Sequence, residues 1–190
     1  MASLILHSRC LIVPLLLALP ASGLEDADFP VEAYVVRDRS AVRSGPGPQY
    51  YATDQLSRGT PVEIYRRDDG GWLAVRPPEG SYSLVAAKHL EMTSRKDVAR
   101  VSHPQAVAWV GTRHGPVGNH KWQVRLEVGE WVRVLGEERV ALFDGGKPEK
   151  ALRIAPPAGE FRWIHQEDVG RRPPPQLQEE QPAHAPQGRT

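Results

Sequence analysis

Short stretches of alternating apolar and polar residues, separated by strong turn signals, constrain the fold of this chain more than any other feature. Residues 42–48 are rich in Ser, Gly and Pro, which supply the fixed and positive φ angles of tight turns. Residues 61–65 alternate as a half-buried strand does. Asp-Asp-Gly-Gly at 68–71 predicts a hairpin turn, and residues 72–76 are the returning strand. This pattern predicts a small barrel of short β-strands.

In combination these motifs resemble the bacterial SH3-like (SH3b) domain family. The resemblance rests on Val-Arg-Ser-Gly-Pro-Gly at 42–47, Leu-x-x-Gly-x-x-Val at 56–62 and Gly-Gly-Trp-Leu-x-Val at 70–75, and it covers about residues 33–90. Residues 83–85 read Ser-Leu-Val where the family often has Gly-Trp-Val. The leucine can fill the same core position, so the resemblance still implies the barrel. A binding role for an aromatic side chain at that position does not carry over.

An internal repeat extends this pattern to the second half of the chain. Residues 73–85 align without a gap on residues 152–164, with every apolar position kept apolar and Pro-Pro-x-Gly retained. Leu-x-x-Gly-x-x-Val-x-Ile at 56–64 matches Leu-x-x-Gly-x-x-Val-x-Val at 126–134. Shared turns with shared alternation are expected of two copies of one small fold. Trp163 occupies the family's closing aromatic position in the second copy.

The second copy differs from the first in its loops. Its opening loop, residues 111–121, is rich in Gly but lacks a Val-Arg-Ser-Gly-Pro motif. Its central hairpin, residues 137–147, is longer, with Asp-Gly-Gly at 144–146 placed near the tip. The sequence therefore predicts an all-β chain with two consecutive small SH3-like β-barrels, of which the second is divergent. The predicted ranges are a signal peptide at 1–23, a leader at 24–32, SH3-like domain 1 at 33–91, a linker at 92–97, SH3-like domain 2 at 98–169 and a disordered Pro-rich tail at 170–190.

The first residues are typical of an export signal. Arg9 provides a positive charge, residues 11–19 form an apolar segment too short to span a bilayer, and residues 21–23 are small. An uncleaved membrane anchor is the alternative. Cleavage would remove Cys10, the only cysteine, so the mature chain would have no disulfide. We therefore expect an exported protein, periplasmic or extracellular, with no transmembrane span in its mature form.

Charge and motif content argue against several function classes. The chain has 24 Lys and Arg against 23 Asp and Glu, so its net charge is close to zero. A near-neutral chain has no strong electrostatic attraction to nucleic acid, and we expect no nucleic-acid partner. His114 and His120 share one Gly-rich loop, but two ligands without a third make a poor zinc site. No Gly-x-Ser-x-Gly motif is present, and the paired carboxylates are sequence neighbours, which point to opposite faces of an extended chain. We expect no cofactor, no metal and no enzymatic activity.

The aromatic residues suggest a ligand-binding groove. In SH3-like barrels the long first loop and the central hairpin flank a shallow groove, so the resemblance implies that Tyr50, Tyr51, Asp69 and Trp72 line it. The rings would stack on a peptide and the carboxylate would orient it. The alternative for Trp72 and Tyr51 is core packing, since a small barrel needs large side chains. Trp131, from the second copy, alternates with polar neighbours and is either an exposed groove residue or a contact between the barrels.

The resemblance implies an exported, non-enzymatic binding module of the cell envelope. Such a module would recognise peptidoglycan peptides or an envelope protein through its SH3-like grooves. The alternative is a structural or self-assembling adaptor, whose barrels and Pro-rich tail mediate contacts between proteins.

Overall fold

A computed structural model describes residues 28–175 and shows an all-β protein, as the alternation predicted. Its strands are β1 (Val31–Val35), β2 (Ser40–Arg43), β3 (Ala52–Leu56), β4 (Pro61–Asp68), β5 (Trp72–Val75), β6 (Ser83–Ala86), β7 (Leu90–Met92), β8 (Val98–Val101), β9 (Val107–Val110), β10 (Trp122–Arg125), β11 (Trp131–Val140), β12 (Glu149–Ile154), β13 (Arg162–His165) and β14 (Val169–Gly170). The predicted signal peptide at 1–23, residues 24–27 of the leader and residues 176–190 of the tail lie outside the described residues.

The strands form two seven-stranded antiparallel sheets. The first has the order β14-β1-β4-β5-β13-β2-β3, and the second has the order β10-β9-β6-β12-β11-β8-β7. Each sheet therefore contains strands from both halves of the chain. The predicted ranges 33–91 and 98–169 do not coincide with the sheets, because β6 and β7 belong to the second sheet while β13 and β14 belong to the first.

The two halves exchange equivalent strands. If each half closed on itself, β5 would pair with β6 through residues 77–80. Instead β5 pairs with β13, with Leu73 opposite Ile164, and β12 pairs with β6, with Leu152 opposite Val85. These two pairs occupy matching positions of the sequence repeat. The exchange is therefore symmetric in register, and the Pro-Pro-x-Gly segments act as crossovers between sheets.

Each hydrophobic core is completed by the other half of the chain. In the first core Ile164 and Val169 pack with Leu73 and other side chains of β1, β4 and β5. In the second core Val85 and Leu90 pack with residues of β8, β11 and β12. Full burial of one such side chain stabilises a fold by about 1.5–3 kcal/mol. The exchanged strands therefore make a large contribution to both cores.

A buried polar cluster joins the two exchanged strands where they begin. Arg162 and Glu160 are almost fully buried, and Nη1 of Arg162 lies 2.6 Å from Oε1 of Glu160. The Ser83 hydroxyl lies 2.6 and 2.7 Å from the two carboxylate oxygens and donates to that group. Arg162 also donates to the backbone oxygens of Tyr82 and Phe161. These bonds offset part of the desolvation cost of two buried charges.

Candidate binding cleft between the crossovers

A cleft of about 730 Å³ opens between the crossovers at residues 77–80 and 156–159. Its walls carry four prolines and two aromatic rings, namely Pro77, Pro78, Pro156, Pro157, Tyr65 and Phe161. Because each crossover belongs to a different half, the strand exchange is what creates this cleft.

Matching β-bulges direct two side chains into the cleft. The register of β4 shifts between Ile64 and Arg66, which leaves Tyr65 at a bulge. The register of β11 shifts between Val134 and Gly136, which leaves Leu135 at the equivalent bulge. A bulge re-aims the side chain of its extra residue. Tyr65 and Leu135 therefore line the cleft from opposite sheets.

Cation–π contacts and an ion pair hold the aromatic wall in place. The rings of Tyr65 and Phe161 lie 5.4 Å apart at 51°, and the Arg66 guanidinium lies 5.1 Å from the Phe161 centroid. Arg76 lies 5.5 Å from the Tyr65 centroid, donates to its hydroxyl and forms a 2.6 Å ion pair with Glu63. The hydrogen bond from Arg76 lowers the pKa of Glu63, whereas desolvation raises the pKa of Tyr65. Arg76 thus remains paired while it packs on the ring.

The cleft continues along both sheets. On the first sheet it adjoins a depression of about 370 Å³ that includes Glu32, Pro61 and Glu63. On the second sheet Arg133 forms part of the wall, and Trp131 lies two residues earlier on the same face of β11. The sequence predicts that Trp131 is either exposed or in contact between the barrels. Its side chain is exposed, with 64% of its surface accessible. A ligand longer than the cleft would pass over these neighbouring surfaces.

Three of the predicted groove residues lie in the first half, on loops or at the start of β5, and none of them lines this cleft. Asp69 is exposed in the 3₁₀ turn Asp69–Gly71. Trp72 is half-buried and meets His165 of β13 edge to face at 5.3 Å. Tyr50 packs its ring over Gly45, where a Cβ would stand 2.3 Å from the ring. None of the five predicted residues, which also include Tyr51 and Trp131, lines the crossover cleft.

Tyr51 connects the two halves. Its hydroxyl donates to the Val110 carbonyl oxygen at 2.7 Å and accepts from the Lys121 amide at 3.2 Å. Its ring meets His120 edge to face at 5.9 Å. Burial raises the pKa of Tyr51, as expected for a phenol held between two packed segments. Tyr51 therefore packs between the two halves, a position that differs from both the predicted groove role and its alternative, core packing within one small barrel.

Among residues 28–175, no group of three or more His, Cys, Asp or Glu side chains could hold a metal ion. His120 is buried with its Nδ1 3.0 Å from the Val110 oxygen, and His114 lies exposed in the same loop. No helix in the described range is long and apolar enough to cross a membrane.

The cleft residues Tyr65, Phe161 and the paired prolines were not predicted as a site. The sequence predicts the repeated Pro-Pro-x-Gly as a turn within each copy, whereas in the structure both segments cross from one sheet to the other. No family model, curated protein or solved structure matches this chain.

Proposed function

We propose that the protein is a non-enzymatic binding module that holds an extended peptide in the crossover cleft. The observation that carries the proposal is the lining, which combines four prolines with the rings of Tyr65 and Phe161 in about 730 Å³. Proline has no backbone N–H, so these walls offer flat apolar surface and carbonyl oxygens. Aromatic-lined grooves of this kind suit extended peptides, whose backbone supplies N–H donors and whose side chains pack on the rings.

The rigidity of the cleft supports a binding role. Arg66 and Arg76 hold the two rings, and the prolines restrict the backbone of both crossovers. A site that is already ordered loses little conformational entropy when a ligand binds. Peptide contacts in this cleft would therefore translate efficiently into affinity.

We infer that each sheet, completed by its exchanged strands, corresponds to one SH3-like barrel. Support comes from the repeated order of elements at the end of each half: Ala87–His89 is a 3₁₀ turn before β7, and Gln166–Asp168 is a 3₁₀ turn before β14. On this basis the ligand is a peptidoglycan peptide or a segment of an envelope protein. The protein would then act after export, in the periplasm or outside the cell.

A pull-down of the chain on insoluble peptidoglycan tests this proposal. Tyr65→Ala and Leu135→Gln alter opposite walls of the cleft, and we expect Tyr65→Ala to weaken binding about 10-fold. Phe143→Ala is the matched control, because Phe143 is exposed and lies outside the cleft. Thermal melting of each variant checks that it is folded. Absent binding would overturn peptidoglycan as the ligand, and binding that is unchanged in both cleft variants would overturn the cleft as the binding site.

A self-assembling adaptor is the second candidate role, and one observation favours it. Trp122 is half exposed on β10, an edge strand of the second sheet. An exposed edge with a large apolar side chain is a template for pairing with another chain. Light scattering over a range of concentrations tests this role, and a Trp122→Lys variant should then shift the protein towards the monomer.

A further inference from the structure

We propose that the crossover cleft selects extended peptides that carry an acidic group at the end lying over the second sheet, where Arg133 receives the carboxylate. This inference rests on the proposed peptide-binding function and specifies its ligand. The basis of this inference is the opposite charge of Glu63 and Arg133, which occupy equivalent backbone positions of the two halves.

Glu63 and Arg133 occupy matching positions of the two halves. Residues 56–64 align on 126–134, which places Glu63 on Arg133 and Pro61 on Trp131. The backbone agrees, because the Arg76 amide donates to the Glu63 oxygen at 2.9 Å and the Ala155 amide donates to the Arg133 oxygen at 2.9 Å. The two ends of the cleft thus share a backbone arrangement but carry opposite charges.

The end over the first sheet is acidic. Its depression is lined by Glu32, Glu63 and Glu79 together with Arg76. Arg76 is already paired with Glu63 at 2.6 Å. The remaining negative charge repels a carboxylate and accepts a neutral or basic group.

The end over the second sheet is basic. Arg133 lies in the cleft wall, and Arg100 stands opposite Trp131 in the β8–β11 ladder. The acidic groups near these arginines include Glu91, opposite Arg100, and Asp97, which Arg95 binds at 3.1 Å. Glu160 also lines the cleft, but it is buried and paired with Arg162 at 2.6 Å. Asp97 also interacts electrostatically with Arg133.

Arg133 keeps its hydrogen-bonding capacity for a ligand. Within residues 28–175 its guanidinium makes no hydrogen bond. A guanidinium has five N–H donors in a planar fork, which matches a carboxylate in a bidentate pair. The ligand end that reaches this wall therefore gains most if it carries a carboxylate.

Trp131 extends the same end with apolar surface. It is 64% exposed and lies on the same face of β11 as Arg133. Exposed tryptophans beside arginine are frequent contributors to binding energy, because a ligand that covers the ring removes a large apolar area from water. Trp131 would pack against the ligand residue next to the acidic one.

Three peptides that differ in one residue test the charge selection. They are acetylated and amidated octapeptides of alternating Ala and Pro that end in Glu, Gln or Lys, titrated into the full chain by calorimetry. We expect the Glu peptide to bind about 3-fold more tightly than the Gln peptide, and the Lys peptide to bind most weakly. The preference should shrink at about 1 M salt, because this pair is exposed to solvent.

Arg133→Gln should bring the Glu-to-Gln affinity ratio to about one. Arg139→Gln is the matched control. Arg139 lies on the same strand but outside the cleft, and its substitution removes the same charge. It should keep the preference for Glu.

Two outcomes separate this inference from the proposed function. If the three peptides bind the unaltered chain equally and Tyr65→Ala still weakens their binding, charge selection is wrong and peptide binding stands. If no peptide binds, both are wrong. A preference for Glu that survives Arg133→Gln would also overturn the assignment to Arg133.

Discussion

The two crossovers share a backbone plan but differ in the residues that follow them. After Pro-Pro-x-Gly the first half continues with Ser-Tyr-Ser at 81–83, and the second with Glu-Phe-Arg at 160–162. Ser83 and Arg162 are therefore equivalent positions, and both belong to the Glu160 cluster. Two arginines there would place like charges together in a buried space, and two serines would leave Glu160 without a counter-ion. Two halves with similar backbone arrangements thus carry different side chains where they meet.

The largest effect is expected from removing the exchanged strands of the second half. A chain that ends at Ala155 lacks β13 and β14, so the first sheet loses a central strand and an edge strand. We expect residues 31–75 to lose amide protection, a loss comparable with the whole stability of a small domain, about 5–15 kcal/mol. Hydrogen exchange measures this, with a chain ending at residue 175 as the control. A first half that stays protected would show that the halves fold separately.

The next largest effect concerns the difference between Ser83 and Arg162. Glu160→Ala leaves the Arg162 charge buried without its partner, and we expect the free energy of unfolding to fall by about 3–5 kcal/mol. Ser83→Ala removes one hydrogen-bond donor and should cost about 1–3 kcal/mol. Urea denaturation measures both. If the two variants cost the same, the pair is not the organising element of the cluster.

Replacing the whole ion pair sharpens this prediction. The double variant Glu160→Leu, Arg162→Met should be far less destabilising than Glu160→Ala, because no charge remains buried without a partner. A double variant as unstable as the single one would contradict that reasoning.

The crossover glycines provide a smaller test of the same comparison. Gly80 and Gly159 both have positive φ, +76° and +83°, so alanine at either site costs about 1–2 kcal/mol of backbone strain. At Gly159 no atom lies within 4 Å of the added Cβ, whereas at Gly80 it would stand 2.1 Å from Nη2 of Arg113. Gly80→Ala should therefore be the more destabilising by thermal melting. Equal melting temperatures would mean that Arg113 moves away freely.

The smallest effect is a change of stability with pH, and it distinguishes the 3₁₀ turn Ala87–His89 from the turn Gln166–Asp168. His89 aligns with Asp168, and it stacks on His103 with ring centroids 4.6 Å apart. Burial, then the charges of His103 and Lys88, lower the pKa of His89 below 6.5 in the folded chain. The unfolded chain therefore binds the proton first, and the free energy of unfolding falls as pH drops below about 6.5, until His89 protonates in the folded chain too.

Urea midpoints at about pH 7.5 and about pH 5.5 measure this slope. His89→Asn should reduce it, and His114→Asn, at an exposed histidine in another loop, should leave it unchanged. A slope that is the same in all three proteins would exclude His89 as its source.

The sequence predicted local structure well wherever neighbouring residues decide it. The hairpin at 68–71 is present between β4 and β5, and residues 144–146 lie in the loop of the long β11–β12 hairpin. Gly145 takes a φ of +70°, as a turn glycine should. These features depend on interactions within a few residues.

The candidate site could not be predicted in the same way. The resemblance implies a groove position for Tyr51 in the first half, whereas its hydroxyl donates to the carbonyl oxygen of Val110, 59 residues away. The ring centroids of Tyr65 and Phe161 lie 5.4 Å apart, although the two residues are 96 positions apart in the sequence. Such contacts depend on which sheet each strand joins, and no local pattern records that choice.

The sequence by itself determined the alternation and the turns, and hence an all-β chain, and its internal alignment predicts two equivalent halves. The tertiary structure alone decided that β6 and β13 change places. Both strands carry the same apolar pattern and follow the same Pro-Pro-x-Gly, so either sheet can accept either strand with its apolar face inward. What distinguishes the two pairings is packing over long sequence distances, including the buried contact of Ser83 with Glu160.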